Sequence, residues 1–479
     1  MIYDAAIVGA GVTGSMIARE LGLLDLSVCV IEAESDLASG ASRANSGIVH
    51  AGFDAQPGSL KARMNKRGNE MMTSVVKELG VPYENGGSLV VAFDDADDRQ
   101  IDILIERGAA NGIPVEKISG DRVREMEPML SDNIVSALWA PTGGIVCPFT
   151  LTIAAMENAV ANGVTLYLNS RVTAIAFEDG IYEIHAGDNR IRARYLINAA
   201  GVYADDISRM AGGESFGIRA RRGQYVLFDK SMPERTRSVI FGAPSDKGKG
   251  VLFGPTAHGN MIAGPTAEFT EKHDNDTTRE GLREALDGVL RYVPTVERRY
   301  AITVFAGLRA MPETHDFIIE RSKTAPNLFN VAGIESPGLT SSPAIAEYVK
   351  ELLAQAGVSM APKPGAVKTR EPIERFADAP PERRQELIKK DRRYANVVCR
   401  CEQVTEAEIV QSINRPCGAK TVDGVRLRTR AGAGRCHGGF CLPRVMAILA
   451  RETGREYDDI TKNGDGSWIL DGRIKEGSR

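Results

Sequence analysis

The sequence predicts an α/β fold with a small extra domain at its C-terminal end, and three observations carry the prediction. An apolar strand, a G-x-G-x-x-G loop, a helix and a second strand ending in an acid follow one another from Asp4 to Glu32. Short alternating runs between residues 164 and 263 read as strands of a largely antiparallel sheet. Five of the seven cysteines lie between Cys399 and Cys441, four of them in two close pairs.

The first unit is a Rossmann-like dinucleotide site. Residues 4–14, DAAIVGAGVTG, run from strand into glycine loop, residues 15–24 read as a helix and residues 27–31 as the next strand. Gly9 allows the tight turn, Gly11 lets the backbone approach a pyrophosphate, and Gly14 lets the helix pack closely on the strand, with its N-terminus toward the phosphates. Glu32 is placed to accept hydrogen bonds from a ribose. An acid there disfavours a 2′-phosphate, so FAD or NAD is expected rather than NADP.

The residues that follow are small. Residues 40–52, GASRANSGIVHAG, permit close approach to a large flat ligand, with Ser42, Asn45 and Ser46 as hydrogen-bonding candidates and a lone His50 near the end. Residues 164–168, 172–177, 182–186 and 191–193 read as a strand and meander, and residues 195–201 as an apolar strand ending at Ala200 and Gly201. A helix is expected over 204–210, then strands over 224–228, 250–253 and 261–263. Residues 330–343, NVAGIESPGLTSSP, return to strand, glycine loop and helix start, a loop able to aim backbone N–H groups at an electron-rich ring edge.

At the far end, Cys399-Arg400-Cys401 and Cys436-His437-Gly438-Gly439-Phe440-Cys441 can converge four sulfurs on one centre. Such a set suits a [2Fe–2S] cluster and also structural zinc; the redox signature at the other end of the chain favours iron. Met1 leads straight into a strand with no secretory leader, so reduced thiols rather than disulfides are expected. The alternation Arg426-Leu427-Arg428-Thr429-Arg430, with Arg435, reads as an arginine-rich strand beside the cluster and a docking surface for an acidic acceptor. Cys417 is expected to be a spare thiol, Cys29 and Cys147 core.

At 479 residues two or three domains are expected. No apolar run approaches a membrane span, and a net charge of −4 argues against generic nucleic-acid binding.

The glycine motif, the 42–52 run, Pro57-Gly58-Ser59-Leu60-Lys61, residues 197–201, Gly307-Leu308-Arg309 and residues 333–343 resemble the D-amino-acid-oxidase-like FAD oxidoreductases. Within them the chain is most similar to the anaerobic glycerol-3-phosphate dehydrogenase and L-2-hydroxyglutarate dehydrogenase subgroups. Residues 399–441 resemble the bacterioferritin-associated-ferredoxin-like [2Fe–2S] domain. One departure is that Ala310 follows Arg309 where the family often places proline.

The resemblance implies a discontinuous architecture: an FAD-binding domain from residues 1–80, 144–215 and 303–356, and an antiparallel-sheet substrate domain from 81–143 and 216–302. Residues 357–394 would be a hinge-like linker, 395–455 the [2Fe–2S] domain and 456–479 a tail. FAD would lie against Gly9, Gly11, Gly14, Glu32, Ser42, Asn45, Ser46, Ala200, Gly201, Gly307, Gly338, Leu339 and Thr340, and the cluster on Cys399, Cys401, Cys436 and Cys441.

Oxidising an alcohol at a flavin requires a neutral base near the ring, and His50 is the candidate. Arg309 matches the family's substrate arginine and can clamp a phosphate or carboxylate, with Lys249 as a second charge. Arg219, Arg221 and Arg222 read as a solvated strand edge. The expected enzyme is an FAD-dependent dehydrogenase of a small anionic secondary alcohol, first sn-glycerol 3-phosphate, then L-2-hydroxyglutarate or another 2-hydroxy acid. An amine or amino-acid oxidase and a non-catalytic electron-transfer subunit are the readings from other classes. Electrons would leave through the cluster to a second flavoprotein or a membrane-associated electron-transfer subunit. The expected location is the cytoplasm, with any membrane contact made through that partner.

Overall fold

The computed structural model describes residues 1–244, 250–473 and 477–478. In the first of its two large sheets, of eight strands, Ile2–Val8 lies parallel to Val28–Ile31 on one side and to Asn189–Asn198 on the other, so Val8 pairs with both Ile31 and Asn198. Thr165–Tyr167 and Leu328–Ala332 extend this parallel core outward. The C-terminal strand ends therefore share one edge, where open α/β sheets hold their ligands. The expected 191–193 and 195–201 runs are one strand, Asn189–Asn198, which closes the antiparallel meander of Val172–Glu178 and Ile181–Ala186. It stops before Gly201, whose φ of +59° opens a 3₁₀ turn.

Helices cover this sheet. Val12–Gly22 starts directly on its N-cap Gly11, three residues before the expected start, and packs between Pro148–Ala161 and Gly338–Gln355. Leu60–Leu79 is capped by Ser59, whose Oγ accepts from the Ala62 N–H at 3.1 Å, and ends at Gly80 with φ +61°. It crosses the Gly338–Gln355 helix so closely that a Cβ on Gly68 would meet the Thr340 carbonyl oxygen at 2.1 Å.

The second sheet has nine strands and is mostly antiparallel, with Ser88–Ala92 and Val239–Gly242 running parallel. The expected runs 224–228 and 261–263 fall in Ile218–Phe228 and Met261–Gly264, and the expected 250–253 run begins two residues later, as Leu252–Pro255. Ile218–Phe228 pairs along its length with Ala301–Pro312, so a strand that the resemblance assigns mainly to the FAD unit also belongs to this sheet. Helix Arg279–Tyr292 buries Ala285, Val289 and Tyr292 against Phe228, Phe253 and Met261.

The C-terminal unit is a hairpin, Val397–Cys399 with Val404–Thr405, and three helices, Glu406–Ile413, Val422–Thr429 and Leu442–Thr453, around Val398, Val404, Ile409, Val425 and Leu449. The arginine run is thus a helix rather than a strand. Thr421 caps it, accepting from the Gly424 N–H at 3.0 Å, and this local signal overrides the period-two pattern. Nor is it a free docking surface: the Arg428 side chain is 2% exposed and grips Asp36 with two bonds of 2.7 and 2.8 Å.

The expected hinge is also tied down. Asp25 N–H donates to Ala361 O at 2.8 Å, the Asn158 and Asn162 side chains both donate to Val367 O, and Arg370 pairs with buried Glu157 at 2.5 Å. Residues 361–370 form a strap across the first unit.

Candidate functional site

A cavity of about 2070 Å³ opens at the C-terminal ends of the parallel strands and continues under the second sheet. Its floor is the glycine loop. Gly9 has φ +105°, and a Cβ there would meet the Ala199 carbonyl oxygen at 2.5 Å. Gly14 faces away from the cavity, with room for no Cβ: the Gly9 oxygen would be 2.0 Å away. A Cβ on Gly11 would come within 3.2 Å of Ser42 Oγ, which accepts from the Val12 N–H at 2.8 Å. Glu32 Oε2 accepts from the Ala10 N–H at 2.7 Å and Oε1 from the Glu34 N–H at 3.0 Å; burial pushes its pKa up while these bonds pull the other way.

The loop at 40–47 holds its own shape. Asn45 donates to Ala41 O and Ser42 O and accepts from the Gly47 N–H at 2.8 Å, so its amide works within the loop. A Cβ on Gly307 would meet the Ala44 carbonyl oxygen at 2.0 Å, so the strand from the second sheet can reach this loop only as glycine. Ser46, Ala200, Gly201, Gly338 and Leu339 line the same cavity. Thr340 does not line it. It is buried, takes the His50 N–H at 2.9 Å and donates to Ile48 O at 3.2 Å.

His50 is held from three directions. Besides the Thr340 bond, its carbonyl accepts from Asn65 at 2.8 Å and Asn69 at 3.1 Å, and its Nε2 lies 3.2 Å from Ser336 Oγ. The ring stands 6.1 Å from that of Phe241. Arg309 enters the cavity from the second sheet and donates to Thr266 O at 2.7 Å. Directly opposite it in the strand register is Arg221, which also lines the cavity. Burial, then the neighbouring Arg309 charge, lower the Arg221 pKa, with Glu335 acting in the other direction. Lys249 lies outside the described residues.

Of the three arginines at 219–222, Arg219 is exposed as expected, but Arg221 is half-buried and Arg222 buried. Arg219 stacks on Phe269 at 3.7 Å, Arg222 is buried with Glu268 and Asp274 at 2.8 Å each, and Arg221 faces the site. Sequence reasoning missed Arg221, which only strand register brings to Arg309, and Tyr225, which stands opposite Phe305 in that register with the Arg309 side chain beside it. It also missed His258, whose two ring nitrogens are buried without a partner on the cavity wall, 6.3 Å from the Phe149 ring. Burial first, then the Arg430 charge, push its pKa down to about 2.

At the other end of the cavity lies the cysteine loop. Cys399 Sγ is 3.7 Å from Cys401 Sγ, which is 3.9 Å from Cys436 Sγ. A hydrogen bond from Cys441 holds the Cys399 thiol well below its usual range against the effect of burial; the same bond pushes Cys441 up. Burial, then the Cys399 charge, push Cys401 up to about 12. Crowded thiols that share protons in this way are relieved when a metal takes all of them as thiolates. A Cβ on Gly434 would sit 2.5 Å from Cys401 Sγ. The sulfurs form a row of neighbours, and among the described residues no three such ligands make a single-ion site. Cys417, Cys29 and Cys147 are buried elsewhere, and burial raises each thiol.

The C-terminal unit closes over the cavity. Asp423, Arg426, Lys462 and Asn463 line it, and so do Arg430 and Ala433 of the cysteine loop. Beside the Asp36–Arg428 pair, buried Glu402 binds Arg430 at 2.8 Å and Lys230 at 2.9 Å, and Arg430 donates to Asn260 at 3.0 Å.

A glycine cradle, a lined cavity and a thiol row define a flavin enzyme with an iron–sulfur domain, and the chain belongs to the FAD dependent oxidoreductase family, which matches residues 4–352. Residues 397–451 match the BFD-like [2Fe-2S] binding domain. A glycerol 3-phosphate dehydrogenase from Caloramator mitchellensis is 47% identical over 99% of both chains. A glycerol 3-phosphate oxidase from Mycoplasma genitalium is 32% identical over 73% of this chain and 94% of its own length. Among solved structures, the L-α-glycerophosphate oxidase of Mycoplasma pneumoniae with FAD bound superposes with a TM-score of 0.74 at 30% identity, covering 77% of this chain and 98% of that one. FAD and a [2Fe–2S] cluster are the cofactors.

Proposed function

We propose that this FAD-dependent oxidoreductase is a dehydrogenase that oxidises sn-glycerol 3-phosphate to dihydroxyacetone phosphate and passes the electrons through its cluster to a partner. The observation that carries the reading is the Arg221–Arg309 pair, two guanidinium groups opposite each other in the cavity that the flavin loops share. A phosphate dianion neutralises both charges, and each planar fork can bind it with two donors. The glycerol 3-phosphate dehydrogenase relative, similar over the whole length, supports the substrate.

Bound FAD supplies the acceptor for the carbon-bound hydrogen, and the cluster a one-electron exit. His50 takes the hydroxyl proton: its ring is steered by Ser336, and its backbone is fixed by Thr340, Asn65 and Asn69. Arg309 and Arg221 hold the phosphate, and Lys249 is a further candidate contact. Lys61, paired with Glu335 at 2.6 Å, steadies the loop before Ser336. FAD rests on Gly9, Gly11, Glu32, Ser42, Ser46, Ala200, Gly201, Gly307, Gly338 and Leu339, with Gly14, Asn45 and Thr340 shaping those walls; Cys399, Cys401, Cys436 and Cys441 hold the cluster.

No helix among the described residues is long and apolar enough to cross a membrane. The partner in this proposal is a second flavoprotein or a membrane-associated electron-transfer subunit. The test is anaerobic mixing of purified enzyme with sn-glycerol 3-phosphate, L-2-hydroxyglutarate or an amino acid, following flavin absorbance. Bleaching by the first, faster than by the others, is expected; preferential bleaching by either of the others would replace this substrate.

A further inference from the structure

The loop that carries Cys436 and Cys441 has two sides. Inward, Arg430 and Ala433 line the flavin cavity. Outward, Phe440 is 81% exposed, and among the described large hydrophobic side chains only Met1 is more so. Its neighbour Cys441 is buried, so Phe440 stands out from an ordered segment rather than from a frayed end. A lone exposed aromatic is ordinary; one beside a redox centre within a cationic rim is an interface anchor. That rim is Arg400 and Arg444, both exposed and each within three residues of a cysteine ligand, with Cys401 itself exposed; Arg435, also exposed, is already paired with Asp229 at 2.8 Å. From Gly424 to Arg451 the chain has no Asp or Glu, and Glu402 next to Cys401 is buried and bound by Arg430 and Lys230. A positive rim on a chain of net charge −4 is a local feature, complementary to an acidic surface and repelled by the same rim of a second copy.

We propose that this rim docks an electron-accepting protein with an acidic face, Phe440 entering an apolar recess on it while Arg400 and Arg444 meet carboxylates around that recess. One electron leaves the reduced cluster for the acceptor in each encounter; the cluster returns to its oxidised form, the acceptor is reduced by one, and no bond is made or broken. The proposal rests on the dehydrogenase reading only for where the electrons originate, so the test supplies them chemically.

Holoenzyme is titrated to the reduced cluster with dithionite and mixed with cytochrome b5, an acidic haem protein, or with cytochrome c, a basic one. The affinity of both oxidised proteins for the enzyme is measured separately on a biosensor. Tighter binding and faster reduction of cytochrome b5 are expected at low salt, both weakening as salt rises. Phe440→Ala should lower affinity and the second-order rate about tenfold, with iron, sulfide and dye reduction unchanged, and Phe440→Leu should restore most of the loss. A preference for cytochrome c, equal behaviour of Phe440→Ala and the parent, or a Phe440→Ala change from dimer to monomer by light scattering would each overturn the proposal. Failure of sn-glycerol 3-phosphate to bleach the flavin would touch only the substrate assignment.

Discussion

Arg221 and Arg309 stand directly opposite each other on adjacent antiparallel strands, like charges held side by side in the cavity. Like charges at such positions repel, and an anion that bridges them offsets that repulsion. Arg309→Ala and Arg221→Ala should each lower kcat/KM for sn-glycerol 3-phosphate by about 10²-fold, chiefly through KM. Because each variant also relieves repulsion on the other arginine, the double variant should lose less than the product of the two. Steady-state assays with a dye acceptor decide it. An equal loss toward uncharged glycerol would show that the arginines do not meet the phosphate.

His50 is positioned by the protein itself, through Thr340, Asn65 and Asn69 on its backbone and Ser336 on its ring. His50→Ala should slow flavin reduction at saturating substrate by about 10²–10⁴-fold with little change in substrate affinity. Ser336→Ala, which frees the ring without removing it, should fall between that variant and the parent. Stopped-flow bleaching measures both; a His50→Ala enzyme reduced at the parent rate would remove His50 as the base.

The Asp36–Arg428 pair is buried on both sides. Asp36→Ala leaves an unpaired guanidinium in the interface and should cost about 3–5 kcal/mol. Thermal unfolding should become two transitions as the C-terminal unit loosens first. Adding Arg428→Met to Asp36→Ala should recover most of the stability, since the uncompensated charge is then gone.

Gly11 and Gly14 answer different questions. Gly11→Val pushes on Ser42 Oγ at the phosphate end of the loop and should yield folded protein with little flavin, whereas Gly14→Ala drives a Cβ into the Gly9 oxygen and should impair folding itself. Flavin-to-protein ratio and circular dichroism separate the two outcomes. Full flavin occupancy in folded Gly11→Val would move the cofactor elsewhere.

The parts legible in the sequence are those written in short stretches. The glycine loop and Glu32 occupy one strand–helix–strand, and the cysteine spacings announce themselves within each pair. Arg221 was hidden because nothing local distinguishes it from Arg219 and Arg222; its role comes from register with a strand far along the chain. The run 426–430 misled for the opposite reason: its alternation suits a strand, yet Thr421 starts a helix whose arginine at 428 is consumed by an acid near the other end of the chain. The strap at 361–370 looked like a linker because proline and polar residues suit one, while its anchors, Asn158, Asn162 and Glu157, lie in a helix with no local sign of that partnership.

The roof over the flavin cavity comes from residues made long after its floor: Asp423, Lys462 and Asn463 line a pocket whose floor is Gly9 and Gly11. This sets an order of biogenesis. Flavin can settle on the N-terminal loop while the pocket is still open, but once Arg428 has closed on Asp36 the cofactor lies beneath the domain that carries the cluster cysteines. Removing the cluster should then loosen this roof and speed the release of FAD, which flavin fluorescence after iron chelation would measure.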